Sequence, residues 1–198
     1  MSLAVVVLAA GKGTRMKSDL PKVLHRACGR SLISWALDAA EPLDADQTVA
    51  VVGYGADAVT AALPEGAIGA VQEPQLGTGD AARVGLSVCD GDIETVLIIL
   101  GDMPLLRTAT LASVLETHRG DGAAATMLTS DFADPTGYGR VQRADGQIVG
   151  IVEERDADAT ERAITEVNNS VSGFIATLLG DALGRLGSDI DQGEYNLT

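Results

Sequence analysis

Aromatic residues are scarce in this chain of 198 residues, at 3% of the sequence, so any core must be built from Ala, Val, Leu and Ile. A hydrophobic content of 46% is enough for one sizeable core. Cysteine is nearly absent. Cys28 and Cys89 form no CxxC or Cys/His spacing, which argues against a disulfide framework or a zinc site. No apolar run reaches the ~20 residues of a membrane helix. The opening Met1-Ser2-Leu3-Ala4 has no basic region, and Val5–Leu8 is too short for the apolar stretch of a signal peptide. The expectation is a soluble, cytoplasmic protein.

Positive charge is also in short supply. The net charge is −14, which disfavours nucleic acid and anionic membranes as partners. Lysine occurs three times, as Lys12, Lys17 and Lys22, all within one short stretch. Arg15, Arg26 and Arg30 lie in or beside that stretch, and Asp19 is its single carboxylate before residue 31. A solvated basic loop would be the ordinary explanation, but it gives no reason for lysine to be absent elsewhere. The clustering favours a site for a small anion.

Leu3–Ala9, Thr48–Gly53 and Glu94–Leu100 read as strands buried on both faces, with Ala67–Gln72 and Ala123–Thr129 as weaker candidates. Helical spacing covers Ser31–Glu41, with Ser31 as N-cap, then Asp57–Leu63, Asp80–Val88 and Thr108–His118. The alternation predicts a Rossmann-like, doubly wound α/β fold with a mostly parallel sheet. After Ser130 the rhythm changes. Tyr138–Arg143 and Gln147–Glu153 flank the turn signal Asp145-Gly146, a small antiparallel insertion. A helical segment Asp158–Ala163, a strand Ser172–Thr177 and a helix Leu178–Leu186 complete the reading. No repeat or linker divides the chain, so 1–198 reads as a single domain. Ligands of such sheets sit at the carboxyl ends of the strands, which singles out the loops after Ala9, Gln72 and Leu100.

The first of these loops, Leu8-Ala9-Ala10-Gly11-Lys12-Gly13-Thr14-Arg15-Met16, is neither a P-loop nor a dinucleotide fingerprint, because Thr14 follows Gly13 and Met16 stands at the third glycine position. The physics common to both patterns survives. Gly11 and Gly13 let backbone N–H groups approach a polyphosphate, Arg15 can grip its oxygens in bidentate fashion, and Pro21 fixes the chain before Lys22. This segment, continued by Pro21-Lys22-Val23-Leu24-His25, resembles the signature of sugar-phosphate nucleotidyltransferases. Within them it is most similar to the N-terminal uridylyltransferase domains of bacterial bifunctional uridylyltransferase/acetyltransferases. Gln72-Glu73-Pro74-Gln75-Leu76-Gly77-Thr78-Gly79 resembles the family's uracil-binding loop, and Gly101-Asp102-Met103-Pro104-Leu105 its metal-binding segment. Gly137–Arg140, Ile151–Glu153, Glu166–Asn168 and Gln192–Tyr195 are similar to its sugar-side segments, in the same order.

The resemblance implies uridylyl transfer from UTP to N-acetylglucosamine-1-phosphate with Mg²⁺ as cofactor, a step toward cell-wall precursors. By the same resemblance Leu8, Ala9, Ala10, Gly11 and Gly13 hold the nucleotide, Arg15 and Lys22 are catalytic, and Gln72, Gly77 and Thr78 read uracil. Asp102 ligates the metal, and Gly139, Glu153 and Asn168 bind the sugar phosphate. Alone, Asp102 would read as a helix cap, Gly77 and Gly79 as turn formers and Glu153 as a solvated hairpin residue. The ordered set outweighs those readings, least so for Glu153. His25, His118 and Trp35 read as structural, with His118 favoured by its place near a helix end.

Four residues depart from the family pattern. Leu100 stands where Tyr is frequent, Asp80 where His is usual, adding negative charge near an anionic ligand, and Asn169-Ser170 where Thr-Gly is usual. The sequence stops at Thr198, short of the family's second metal ligand and its hexapeptide repeats, and so reads as truncated at its C-terminus. The expectation is a monomer for this length and a trimer for a longer form. Two alternatives stay open: a related nucleotidyltransferase using another sugar phosphate or nucleotide, and a UTP-binding remnant without turnover.

Overall fold

A computed structural model describes residues 2–185 and 195–197. Its strands are β1 (Leu3–Ala9), β2 (Arg26–Ala27), β3 (Arg30–Ser31), β4 (Gln47–Val52), β5 (Ile68–Val71), β6 (Thr95–Leu100), β7 (Ala125–Asp131), β8 (Arg140–Ala144), β9 (Gln147–Val152) and β10 (Glu166–Ile175). Its α-helices are α1 (Leu32–Ala40), α2 (Ala56–Thr60), α3 (Thr78–Ser87), α4 (Thr108–Asp121), α5 (Ala159–Arg162) and α6 (Ala176–Gly184). Two compact units emerge among the described residues, 2–126 with 172–185 and 195–197, and 127–171.

In the first unit β5, β4, β1 and β6 lie side by side and parallel, and the end of β10 adds to β6 in the antiparallel sense. Val6 faces Val49 on one side and Ile98 on the other, so β1 is central. Every residue of β1 is buried, as its unbroken apolar run requires. Alternate residues serve opposite faces. Ala4, Val6 and Leu8 join Val49, Val51, Ala81, Ala82, Leu179 and Leu183 in a core under α3 and α6. Val5, Val7 and Ala9 are buried on the other face. Ser31 caps α1 as its sequence predicts, accepting from the Ser34 N–H at 3.3 Å. No helix among the described residues is long and apolar enough to cross a membrane.

The chain leaves β1 toward β4 and β5, then returns to β6 on the other flank of β1. That reversal is a topological switch point, where doubly wound sheets place their ligands.

In the second unit β8 and β9 form the expected hairpin, with Asp145 and Gly146 both at positive φ, 50° and 79°. Asp158 opens α5 through a capping box with Glu161. The first half of β10 pairs antiparallel with β8, Val167 opposite Arg140. This strand is longer than the expected Ser172–Thr177, and Ala176 and Thr177 already belong to α6. Leu186, the expected end of the last helix, and Gln192-Gly193-Glu194 lie outside the described residues.

Candidate active site

Four loops gather at the carboxyl ends of the parallel strands in the first unit. After β1, Leu8, Ala9 and Ala10 are buried while Gly11, Lys12 and Arg15 are exposed. Gly13 takes a left-handed φ of 68° before the short turn Thr14–Met16. A Cβ at Gly13 would lie 2.5 Å from the Lys22 Cβ, so this glycine lets the loop close against the lysine stem. Buried Pro21 and Val23 flank Lys22, whose side chain is half-exposed. Arg15 makes no ion pair with any described residue.

After β6, Gly101 donates to the Leu8 carbonyl at 2.9 Å and packs against Val7, Ala9 and Val23. Asp102, the next residue, meets the Lys22 ammonium in an ion pair. Asp102 is therefore not a helix cap. The next helix, α4, begins at Thr108 and has no side-chain cap. Among the described residues no three His, Cys, Asp or Glu side chains cluster to hold a metal. A divalent ion at Asp102 would take its other ligands from phosphate oxygens and water, the usual habit of Mg²⁺.

The loop after β5 is built around Gln72, 2% exposed. Its amide nitrogen donates to the Gly77 carbonyl at 3.1 Å and to Asp80 Oδ2 at 2.8 Å. Gly77 has φ 105°, and a Cβ there would lie 2.4 Å from the Tyr195 carbonyl oxygen. Residues 195–197 lie along this loop: Tyr195 N–H donates to Leu76, Gly79 N–H to Tyr195, and Leu197 N–H to the Thr78 hydroxyl at 3.0 Å. Asp80 does not bring a free negative charge, contrary to the sequence expectation. It is 5% exposed, and its second oxygen is paired with Arg83 at 2.5 Å.

The fourth loop, Gly53-Tyr54-Gly55 after β4, escaped the sequence reading. Tyr54 N–H donates to the Ala10 carbonyl at 3.0 Å and its hydroxyl to the Asp19 carbonyl at 3.1 Å. The Lys12 ammonium sits 4.9 Å from the centre of its ring, a cation–π contact. A Cβ on Gly55 would strike Pro21 at 2.5 Å. Tyr54 thus braces both ends of the basic loop. The signal that could have found it is a Gly-Tyr-Gly immediately after a buried strand, in a chain poor in aromatics.

In the second unit the three expected sugar-side residues are neighbours. Gly139 accepts from the Asn168 N–H at 3.0 Å, and a Cβ on Gly139 would lie 3.4 Å from a Glu153 carboxylate oxygen. Ser170 N–H donates to Asn168 Oδ1 at 2.9 Å, and Ser170 itself takes a left-handed φ of 55°, at the position where the family pattern has Gly. Nearby, Arg140 is 1% exposed and paired with Glu154. That guanidinium, followed by the Gly137 N–H, holds the Glu154 carboxyl below its ordinary pKa.

Residues 5–171 match the family profile of the MobA-like NTP transferase domain. The chain belongs to this family. It is therefore a nucleotidyltransferase domain, and the MobA-like match runs through both units. It is 51% identical over 201 residues to the bifunctional protein GlmU of Streptomyces coelicolor, covering 98% of this chain and 42% of that protein. The bifunctional protein GlmU of Corynebacterium efficiens is 50% identical over 205 residues, covering 100% and 42%. The chain thus spans about two-fifths of the length of these curated relatives. Among solved structures, a putative glucose-1-phosphate thymidylyltransferase from Bacillus anthracis superposes with a TM-score of 0.72 at 16% identity, covering 94% of this chain and 76% of its own. A UDP-glucose pyrophosphorylase complexed with UDP-glucose gives 0.71 at 16% identity, covering 90% and 78%. At these identities the structural likeness speaks for the fold.

Proposed function

We propose that this chain, as a single domain over 1–198, transfers a uridylyl group from UTP to N-acetylglucosamine-1-phosphate, giving UDP-N-acetylglucosamine and pyrophosphate. A phosphate oxygen of the sugar phosphate attacks the α-phosphorus of UTP, the new P–O bond forms, and the bond to the β-phosphate breaks with pyrophosphate as leaving group. The nucleophile is already ionised at neutral pH, so no general base is needed. The protein's task is to neutralise and align two polyanions.

The observation that carries this reading is the pairing of Lys22 with Asp102 at the switch point beside the Gly11–Gly13 loop. It puts a cation and a carboxylate at one spot, which supports reading the first as a phosphate contact and the second as a metal ligand. Mg²⁺ held by Asp102 would draw negative charge from the phosphate oxygens. Lys22 would stabilise charge around the α-phosphate, and Arg15 would grip the departing pyrophosphate. Leu8, Ala9, Ala10, Gly11 and Gly13 supply the backbone cradle, and Gln72, Gly77 and Thr78 read the base. Gly139, Glu153 and Asn168 bind the sugar. The identity of 51% and 50% to bifunctional GlmU proteins across this span supports a reaction of this class.

The test is pyrophosphate release with Mg²⁺, UTP and N-acetylglucosamine-1-phosphate. Release should require both substrates. Lys22→Ala should lower kcat by about 10²–10³-fold, the scale for removing one group that stabilises transition-state charge. Near-wild-type turnover in that variant would refute the assignment.

A further inference from the structure

We propose that Asp80 decides which nucleobase this site accepts, by fixing the orientation of the Gln72 amide. The inference rests on the reading of Gln72 as a base contact.

Gln72 sits just past the end of β5, and Asp80 lies in the first turn of α3. Both are buried. The two partners of the Gln72 amide nitrogen, the Gly77 carbonyl at 3.1 Å and Asp80 Oδ2 at 2.8 Å, are acceptors only. This settles which end of the amide is nitrogen. It also uses both amide hydrogens. Gln72 Oε1 has no hydrogen-bond partner among the described residues, so the capacity left to the side chain is that of an acceptor.

An acceptor discriminates between bases. Uracil presents a ring N3–H, which Oε1 can receive. Cytosine presents an unprotonated N3, whose lone pair would meet the Oε1 lone pairs. A flipped amide would suit cytosine, but it would set Oε1 against a carbonyl oxygen and a carboxylate at once. Arg83 holds the other Asp80 oxygen at 2.5 Å and keeps the carboxylate in place. Arg83, Asp80 and Gln72 therefore form a relay whose last member reads the base. Asp80 is a positioning residue: it touches Gln72 and leaves substrate contact to it.

The experiment is calorimetric titration of UTP and CTP, in Mg²⁺, into the wild-type chain and into D80N, D80S and Q72A. Asn at position 80 can turn its own amide hydrogens toward Gln72 and accommodate either orientation. The UTP:CTP preference should fall at least about tenfold in D80N, a loss of about 1.4 kcal/mol in discrimination. The ratio is internally normalised, because partial unfolding weakens both nucleotides alike. Should D80N fail to fold, D80S removes the carboxylate with a smaller side chain and gives the same readout. A preference lost in Q72A but kept in the Asp80 variants would refute the role of Asp80 alone. A preference kept in Q72A as well would refute Gln72 as the base contact, and a wild type that binds both nucleotides equally would overturn the proposal outright.

Discussion

An imidazole near the carboxyl end of a helix gains from the macrodipole only when it is charged, and His118 is placed so that it stays neutral. It lies in the last turns of α4, 3% exposed, its Nδ1 3.1 Å from the Thr126 hydroxyl and its ring against Gly173. Burial first, and the Arg119 charge second, hold its pKa below the ordinary value of 6.5. Burial thus outweighs the helix end. The sign follows from proton linkage: below pH ~6.5 the unfolded chain takes up a proton that the folded chain refuses, so stability falls as pH drops through that window. Melting temperature should decline between about pH 7.5 and pH 5.5, above the carboxylate range. His118→Gln should lower stability at the upper pH but flatten this decline, and an undiminished decline would rule out His118 as its source. Other single residues were less legible. Nothing local in the sequence says that Tyr54 reaches Ala10 and Asp19, or that Asp80 faces Gln72 rather than solvent. Those contacts join segments that only the sheet brings together.

At the scale of elements, α3 is pressed against the sheet at Gly85. A Cβ there would lie 2.5 Å from Val6 and 2.9 Å from Val51, both fully buried. Alanine in place of a mid-helix glycine ordinarily gains about 1 kcal/mol. Overpacking a filled core costs about 1–3 kcal/mol. Gly85→Ala should therefore be net destabilising by about 1 kcal/mol, whereas Gly120→Ala in α4, with nothing within 4 Å, should stabilise. Urea midpoints of the two variants check this, and a shift in the same direction for both would contradict the packing. The parallel strands were readable because burial on both faces leaves an unbroken apolar run, as in β1 and β6. β10 was not. Its opening, Glu166-Val167-Asn168-Asn169-Ser170, is polar, and it is a strand because β8 pairs with it and Ser130 accepts from Asn169. The β2–β3 hairpin was missed because Cys28, with φ 52°, fills a turn position usually marked by Asn, Asp or Gly.

For the whole molecule the question is how a chain of net charge −14 attracts a nucleoside triphosphate. Screening supplies most of the answer: at physiological salt the Debye length is about 8 Å, so distant carboxylates count for little and the lysines at the site dominate. Charge distribution was the feature of the candidate site most legible in the sequence, since it needs no fold to be seen. Which loops converge on it was legible for three of the four, and the missed one carries no charge. The lysine distribution also provides a direct probe. Lys12, Lys17 and Lys22 are the chain's complete set of lysines, so an amine-acylating reagent can mark few places beyond this loop and the amino terminus. Lys22 pairs with Asp102 and Lys12 lies over Tyr54, while Lys17 is exposed at the far side of the short turn. With saturating UTP and Mg²⁺, acylation at Lys22, read by peptide mass spectrometry, should slow severalfold, and Lys17 should react as before. Lys22 labelling that is indifferent to UTP would mean that the triphosphate binds elsewhere and that the clustering of lysines has another cause.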